Sequence, residues 1–558
     1  MTLSDWRRQG PGRYGAVPEV RQGRRQPRGS GFEAAACNGG TRSGGALCNG
    51  ATMDSLLFLC ARHLVRHESD FRRALAILPS ELYPVLFSAA FLDRRTLVVR
   101  DLVAVWPFPV LSFQRLLPHL DRHHLHRPKG LPRNLCVEAT IMAIVAHLRQ
   151  TLEDPDRGMS ERRCCLRVLD MIDLPHDVPA GMSLWSTTVS LAKACLEVSK
   201  HQNEHLKRGS KRQKGPSGAL EPPQSFSVEI RADLFVNSTS FVVLRDALQA
   251  NTTSLLRLKC RDFHAEELSV GSTVTLLDSL DVCSLRRVDL RFNNLGLSGL
   301  CVVLPHLTKF PNLLSLRLPY SNVDVRRFVS GTDASLRQLA GQLGSLLGLK
   351  ELNFGSSRLS GNLRNLLSDL QTPLESLELA FCSLLPDDFN YLRQSLHASA
   401  LRKLDLSGHD FNEGRLQPLR QLLEKISPSL LHLDLMECRL TDSQLHYLLP
   451  VLCRCSQLRC LGLFGNLFST PALKVLLEKT VVLPHLRLVI YPYPLDCYIT
   501  DHLRPPSGSG WFFEDAVDRA RFNAAKAELC QLLLELGRSD AVWTTNLPWH
   551  GAPDYFDL

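Results

Sequence analysis

The stretch "LRRVDLRFNNL" at residues 285–295 carries aliphatic residues and an asparagine in the pattern of a leucine-rich repeat, L-x-x-L-x-L-x-x-N/C-x-L. The pattern returns as "LLSLRLPYSNV" at 313, "LKELNFGSSRL" at 349, "LESLELAFCSL" at 374, "LRKLDLSGHDF" at 401, "LLHLDLMECRL" at 430 and "LRCLGLFGNLF" at 458. Successive copies begin 28, 36, 25, 27, 29 and 28 residues apart. A period near 28 is typical of the longer leucine-rich repeats, in which a short strand is followed by a helix.

Weaker copies extend the array in both directions. They are "LRVLDMIDL" at 166, "SVEIRADLF" at 227, "SLLRLKCRDF" at 254 and "LRLVIYPYPL" at 486. No single repeat can bury its own apolar face, so neighbouring repeats stack into a curved solenoid. We therefore predict an α/β fold, a leucine-rich-repeat solenoid of eight to twelve repeats over residues 161–510. A parallel sheet lines its concave face, and helices such as "LSGLCVVLPHLTKF" cover the convex face.

The residue at the asparagine position of each repeat has a structural role. We expect Asn293 and Asn466 to bond backbone groups at the turn where the strand ends. Cys382 and Cys438 occupy the same position, which accounts for these two cysteines without any reactivity.

Both ends of the solenoid need caps, because a terminal repeat has an uncovered face. Residues 53–160 contain apolar runs separated by prolines and polar residues, which predict a helical N-terminal cap. Residues 511–558 predict a C-terminal capping helix at 511–537 and an aromatic tail that folds back on it.

Two polar segments lie outside these predicted elements. Residues 1–52 are rich in arginine and glycine and supply +5 of the net charge of +9, which predicts disorder. They are either an RNA-binding tail or an unstructured extension ahead of a usual start at Met53. Residues 200–224 form a polar insertion, and its basic cluster at 207–214 is either a solvated loop or a nuclear localisation signal.

The composition favours a reduced, intracellular environment. None of the 17 cysteines forms a C-x-x-C pair, the N-terminus has no signal-peptide core, and no apolar stretch reaches the roughly 20 residues of a membrane span. The small charge outside residues 1–52 argues against nucleic-acid binding. We expect a cytoplasmic protein without a membrane or nucleic-acid partner, with nuclear import through 207–214 as the alternative.

The sequence contains no catalytic signature. It lacks G-x-S-x-G, a Walker loop, H-E-x-x-H and the kinase motifs. Histidines cluster in "PHLDRHHLHRPKG" at 118–130, where a metal site competes with a solvated basic loop, and the missing carboxylate partner favours the loop. We expect a non-enzymatic protein without a cofactor or metal.

The concave face offers a second type of functional site. Residues between the strand leucines point out of the sheet, and we expect the early repeats to form a basic half and the later ones an acidic half. The predicted partner-binding residues are Arg257, Lys259, Arg287, Arg291 and Arg317 (with Arg231 beside them) on the basic side, and Glu378, Asp405 and Asp434 on the acidic side. Such a face is either a docking surface for a partner of complementary charge or an ordinary solvated sheet.

Two short helices near the predicted start match docking patterns of ubiquitin-ligase receptors. Ser55, Leu56, Cys60 and Leu64 fit the BC-box pattern, by which a receptor helix binds elongin C. Leu78, Pro79, Leu82 and Leu86 fit the cullin-2 box that follows it, with Pro79 in the first turn of a helix. The alternative is that both helices simply cap the solenoid and bury these leucines.

The stretch "LPSELYPVLFSAAFLDRRTLVVRDLVAVWPFPVLSFQRLL", together with the 285, 374 and 401 repeats and the tail "VWTTNLPWHGAPDYFDL", resembles the PRAME family. The resemblance runs from about residue 53 to the end and is poor over 200–224. It implies a ribonuclease-inhibitor-like horseshoe that serves as substrate receptor of an elongin B/C–cullin-2 ubiquitin ligase. For the most similar family members it also implies restraint of Toll-like-receptor signalling to NF-κB through the IκB kinase complex. Binding and blocking that complex without ubiquitination is the alternative.

Overall fold

The structure is a computed structural model that describes residues 55–117, 134–153, 164–172, 174, 180–212, 227–251, 253–326, 332–411, 414–499 and 516–546. These residues belong to one compact unit that begins at Ser55. The predictions for residues 1–52, for the histidine cluster at 118–130, for the last two residues of the basic cluster and for the tail after residue 546 fall outside them.

A single parallel sheet of 13 strands organises the described chain, and every strand pairs with its neighbours in sequence. The strands are β1 Val110–Ser112, β2 Val168–Asp170, β3 Val228–Val236, β4 Leu256–Ala265, β5 Arg287–Asp289, β6 Ser315–Arg317, β7 Glu351–Asn353, β8 Ser376–Glu378, β9 Lys403–Asp405, β10 His432–Asp434, β11 Cys460–Gly462, β12 Leu488–Ile490 and β13 Val542–Thr544. Every predicted repeat therefore supplies one strand, which confirms the leucine-rich-repeat solenoid.

Helices connect the strands. They are α1 Leu56–Leu64, α2 Glu68–Leu75, α3 Tyr83–Leu92, α4 Thr96–Ala104, α5 Phe113–Leu116, α6 Asn134–Glu153, α7 Ala180–Arg212, α8 Phe241–Ala250, α9 Val270–Ser279, α10 Gly296–Leu307, α11 Thr332–Gly344, α12 Leu363–Leu367, α13 Pro386–Gln394, α14 Leu416–Ile426, α15 Asp442–Leu452, α16 Thr470–Thr480 and α17 Arg519–Glu535. From α6 onward consecutive helices pack side by side, so each repeat contacts the repeats before and after it.

The core lies between the sheet and the helices. From β5 to β12 the middle residue of each strand is aliphatic and buried, and these residues stand in register, as Leu377, Leu404 and Leu433 do across β8, β9 and β10. Burying such a side chain contributes about 1.5–3 kcal/mol, so the regular leucine spacing is the main source of stability.

The asparagine position works as the repeat pattern predicts. The Asn293 amide donates to the carbonyl of Ala265 at 2.7 Å, and its oxygen accepts from the N–H of Leu268 at 2.7 Å. Asn466 makes the equivalent bonds to Leu435 and Leu440. At this position the Cys382 thiol lies 3.2 Å from the carbonyl of Phe354, and burial raises its pKa to about 12, which makes it a poor nucleophile.

The boundaries of the array differ from the prediction at several points. The sheet begins at β1, inside the segment 53–160 that we assigned to the helical cap. It continues to β13, which lies in the predicted tail. Helix α7 runs into the predicted insertion as far as Arg212, and the capping helix α17 begins at Arg519 instead of residue 511. Short or irregular end strands lack the full leucine pattern, so periodicity alone misses them.

One helix departs from the expectation that no stretch is long and apolar enough for a membrane span. Residues Leu135–Glu153 of α6 meet both criteria. This helix packs against α4 and α7 and buries Val137, Ile144 and Leu148. Because a core helix satisfies the same criteria of length and composition, the contacts of α6 explain its apolar character.

Candidate functional site

Helix α1 presents an apolar stripe to solvent. Ser55 caps the helix, since its hydroxyl accepts from the N–H of Phe58 at 3.2 Å. Leu56 is 78% exposed, and Cys60 lies exposed one turn further along the same face. Ala61 and Val65 point the other way and are buried. The alternative that the cap simply buries these BC-box residues is therefore wrong for Leu56 and Cys60. Leu64 is half-buried and packs against the core.

Two arginines fix the orientation of α1. The Arg62 guanidinium lies 2.7 Å from a carboxylate oxygen of Asp93, and Arg66 lies 3.7 Å from the other oxygen. Asp93 follows α3 directly and is largely buried, so both ion pairs hold the inner face of α1 against α3. The apolar stripe faces solvent because the arginines occupy the opposite side of the helix.

The cullin-2-box residues divide between surface and core. Pro79 is exposed and is the N-cap residue of a 3-10 turn at Ser80–Leu82 that leads into α3, so it lies one residue before the first helical turn in which we placed it. Leu78 and Leu82 are half-buried against the core, and Leu86 is buried in α3. Leu86 thus stabilises the cap and is not presented to a partner.

The prediction missed other exposed apolar side chains of the N-terminal cap. Leu57 and Leu59 flank the stripe on α1, and Ile77, next to the cullin-2-box residues, is 81% exposed. Their apolar character was visible in the sequence, but their exposure depends on how α1 and α3 pack. We refer to Leu56, Leu57, Leu59, Cys60 and Ile77 as the N-terminal apolar patch.

The concave face, the side of the sheet opposite the helices, carries two rows of side chains in register. One row is Arg287, Ser315, Glu351, Ser376, Lys403, His432 and Cys460; the other is Asp289, Arg317, Asn353, Glu378, Asp405, Asp434 and Gly462. Glu378, Asp405 and Asp434 stand on adjacent strands, as the repeat alignment predicts. Adjacent strands are roughly 4.8 Å apart, so the three carboxylates form a ladder.

The early repeats form a mixed-charge surface, and our prediction of a basic half is wrong. Carboxylates between the predicted cations neutralise most of them. The pairs are Arg231 with Glu229 (2.7 Å), Lys259 with Glu229 (2.9 Å), Arg287 with Asp262 (3.5 Å), Arg291 with Asp289 and Arg317 with Glu351 (2.9 Å). Arg257 is exposed. The prediction considered the basic residues and passed over the acids at neighbouring outward positions of the same strands.

The later repeats keep an excess of negative charge. Lys403 lies 2.7 Å from Glu378, and His432 lies 2.8 Å from Asp434. Asp405 accepts a hydrogen bond from the backbone N–H of Ser407 at 2.9 Å. Burial, and then repulsion from Asp434 and Glu378, raises the pKa of Asp405 to about 7. This ladder therefore stores electrostatic repulsion that a cation would relieve.

The described residues contain no group of three or more histidine, cysteine or acidic side chains arranged to hold a metal ion. Their buried thiols, such as Cys195 and Cys382, have pKa values raised by burial to about 12. Both candidate surfaces offer groups for apolar contact and ion pairing.

Two family models match the chain. The PRAME N-terminal domain matches residues 53–128, and the PRAME C-terminal domain matches residues 241–555. Leucine-rich repeat-containing protein 14 of Xenopus laevis is 51% identical over 504 residues, which cover 89% of this chain and 98% of that protein. The protein of that name from Homo sapiens is 44% identical over 516 residues, covering 91% and 100%.

Among solved structures, the crystal structure of a TLR13–ssRNA13 complex matches 49% of this chain and 39% of that chain, with 19% identity and a TM-score of 0.28. The relatives named leucine-rich repeat-containing protein 14 align over nearly their whole length, and both PRAME domains are present in order. The chain therefore belongs to the PRAME family of leucine-rich-repeat proteins.

Proposed function

We propose that this protein is a non-enzymatic adaptor that holds a target on its leucine-rich-repeat solenoid and recruits an elongin B/C–cullin-2 ubiquitin ligase through its N-terminal helices. The observation that carries the proposal is the N-terminal apolar patch. Leu56 has 78% of its surface exposed on a helix whose other face is buried and ion-paired. A well-anchored helix with an exposed leucine stripe is the form in which helix-in-groove partners are recognised.

The geometry of α1 suits elongin C in particular. Leu56 and Cys60 lie one turn apart on the exposed face, so one groove can receive both side chains. Burying Leu56 in an apolar pocket would contribute about 1.5–3 kcal/mol of binding free energy. Pro79 and Ile77 lie exposed nearby in sequence and supply apolar surface for a cullin-2 contact.

The target and its pathway come from the family resemblance. We propose that the concave face binds a component of the IκB kinase complex and thereby restrains Toll-like-receptor signalling to NF-κB. The alternative is a stoichiometric inhibitor that blocks assembly of the complex without ubiquitination. The mixed and acidic rows of the concave face support protein binding in both cases. We place this activity in the cytoplasm, with nuclear import through the basic cluster at 207–214 as the alternative.

The substitution Leu56→Asp tests ligase recruitment. It places a charge on the apolar stripe while leaving Ala61, Val65 and the Asp93 ion pairs in place. We expect co-purification of elongin C with the full-length protein to be lost and the melting temperature to stay unchanged. Leu347→Asp is the matched control, because Leu347 is 66% exposed in the loop between α11 and β7, outside the patch. Retained elongin C binding by Leu56→Asp would refute the adaptor role.

The same variant separates degradation from inhibition. Only the adaptor needs Leu56, whereas an inhibitor needs the solenoid alone. If Leu56→Asp abolishes ubiquitination of a bound target but leaves NF-κB reporter activity repressed, the inhibitor mechanism holds. If repression disappears together with ubiquitination, the adaptor mechanism holds.

A further inference from the structure

A column of residues with left-handed backbone runs along the edge of the concave face where the strands end. Each member lies three positions after a residue of the row that contains Glu378, Asp405 and Asp434. The column is Phe292, Tyr320, Ser356, Phe381, Gly408, Glu437 and Gly465, with φ values of 58°, 57°, 63°, 57°, 74°, 55° and 73°. The turn that follows each strand therefore imposes this conformation in seven consecutive repeats.

Glycine is the residue that adopts this conformation without steric cost, and the chain uses it at Gly408 and Gly465. Three repeats carry an aromatic residue instead, in a conformation that is unfavourable for bulky side chains. Phe292 and Tyr320 stack on each other with their ring centroids 4.6 Å apart. Phe381 has no such aromatic neighbour on the next repeat, where Gly408 stands, and it is 41% exposed. An exposed aromatic ring held rigidly in this way offers a contact surface to a partner.

The Phe381 ring packs against the next repeat. A Cβ atom on Gly408 would clash with the Phe381 ring, so the ring lies across the glycine of the next repeat. Asp405 precedes Gly408 by three residues and belongs to the carboxylate ladder. Phe381 thus lies in the turn after β8 with its ring over Gly408, and the carboxylates of Asp405 and Asp434 stand side by side on β9 and β10, three residues before that turn column.

The polar groups of the carboxylate ladder lack a full set of partners. Lys403 and Asn353 both bind Glu378, which leaves Asp405 and Asp434 without a cation from lysine or arginine among the ion pairs of the described residues. The Oδ1 atom of Asp434 is buried against Gly462 and has no hydrogen-bond donor there. His432 donates to Asp434, its side chain is only 8% exposed, and its Nδ1 has no partner in the described structure.

We propose that an arginine-bearing segment of the target protein docks at Phe381, Asp405 and Asp434. This inference rests on the proposed function, because it assumes that the solenoid holds a target. An arginine side chain matches both components: its planar guanidinium stacks on an aromatic ring and binds carboxylates in a bidentate manner. Lysine lacks the planar group, and the carboxylates repel phosphates, so nucleic acid does not fit this position.

The test uses the full-length protein and a fluorescein-labelled dodecapeptide of alternating arginine and leucine. Fluorescence anisotropy compares it with the same peptide carrying lysine, or the neutral isostere citrulline, in place of arginine. We expect the arginine peptide to bind at least about fivefold more tightly than the lysine peptide and more than tenfold more tightly than the citrulline peptide, which corresponds to about 1.4 kcal/mol. Equal affinity for the arginine and citrulline peptides, or no binding of any peptide, would overturn the proposal.

Variants then place the peptide on the surface. Phe381→Gly removes the ring and suits the left-handed backbone, so the protein stays folded, and we expect at least a tenfold loss of affinity. The double change Asp405→Asn and Asp434→Asn should weaken binding to a similar extent. Tyr320→Gly is the matched control, since Tyr320 has the same conformation and similar exposure but stacks on Phe292 and belongs to the repeat of Arg317, outside the carboxylate ladder; its affinity should stay within about twofold.

The outcomes distinguish this proposal from the adaptor role. Leu56→Asp should leave peptide affinity unchanged, since α1 is not part of the concave face. If Phe381→Gly binds the peptide as tightly as the wild type does, the docking site is wrong even when elongin C binding persists. If elongin C binding fails while the peptide result holds, the solenoid binds arginine-bearing proteins without acting as a ligase receptor.

Discussion

Asp405 is a residue of the concave face whose ionisation departs far from that of an ordinary carboxyl group. It lies between two other carboxylates, and its pKa is raised from 3.8 to about 7 by burial and then by Asp434 and Glu378. An acid whose pKa is higher in the folded state binds its proton more tightly there than in the unfolded chain. Its contribution to stability therefore falls as pH rises from about 4 to about 7 and stays low above that range.

The substitution Asp405→Asn should stabilise the protein at neutral and alkaline pH. Asparagine keeps an oxygen that can accept from the Ser407 N–H but cannot ionise. We expect the free energy of unfolding at pH 8 to rise by about 1–2 kcal/mol, with the gain shrinking as pH falls toward 4. Urea denaturation at several pH values measures this. A gain that grows on acidification would contradict the assigned direction of the pKa shift.

The buried hydrogen bonds of Asn466 allow a second test on a single residue. Its side chain bonds three backbone groups, the carbonyls of Leu435 and Leu463 and the N–H of Leu440. Asn466→Ala leaves these buried groups without a partner and should lower the free energy of unfolding by about 1–3 kcal/mol. Thermal denaturation of this variant beside Asn365→Ala, whose side chain is exposed on α12, isolates the effect of the buried bonds.

At the scale of elements, ion pairs anchor helix α1 on one side and leave the leucines of its other side exposed to solvent. The ion pairs of Arg62 and Arg66 with Asp93 hold the inner face of α1 against α3. The leucines at 56, 57 and 59 are exposed to solvent. The BC-box pattern of the sequence predicts this helix, which the structure confirms, and Ser55 caps it. Which face of α1 is exposed depends on its packing against α3, and the sequence of α1 alone does not predict that packing.

The substitution Asp93→Asn tests whether this placement matters. It removes the charge that both arginines bind but keeps the size of the side chain. We expect α1 to become more mobile and elongin C affinity to fall about three- to tenfold, since the helix must then be ordered upon binding. Isothermal titration with purified elongin B/C measures the loss. Asp101→Asn, which frees Arg72 of α2, serves as the control and should change affinity little.

At the scale of the whole molecule, stability is shared between neighbouring repeats. Each strand and helix contacts mainly the preceding and following ones, so a destabilising substitution in one repeat affects mainly that repeat and its neighbours. Leu404 lies fully buried at the middle of β9, and Leu404→Ala should cost about 2–5 kcal/mol. Hydrogen exchange should show lost protection in β8–β10 and α13–α15 and retained protection in α3 and α4. Uniform loss across the chain would show that the solenoid unfolds as one unit.

The sequence by itself determined the repeat and its consequences. A 28-residue period of leucines specifies which residues enter the core, and identical spacing in adjacent repeats aligns Glu378, Asp405 and Asp434 in register. The sequence also determined the structural roles of Asn293, Asn466, Cys382 and Cys438, because each role depends on position within one repeat.

Only the tertiary structure decided which of these groups remain available. The end strands β1 and β13, the pairing of Arg317 with Glu351 and the exposure of Leu56 and Phe381 all depend on neighbours distant in sequence. A local pattern specifies how a side chain points from its own strand or helix. Whether that side chain meets protein, an opposite charge or water is set by long-range packing.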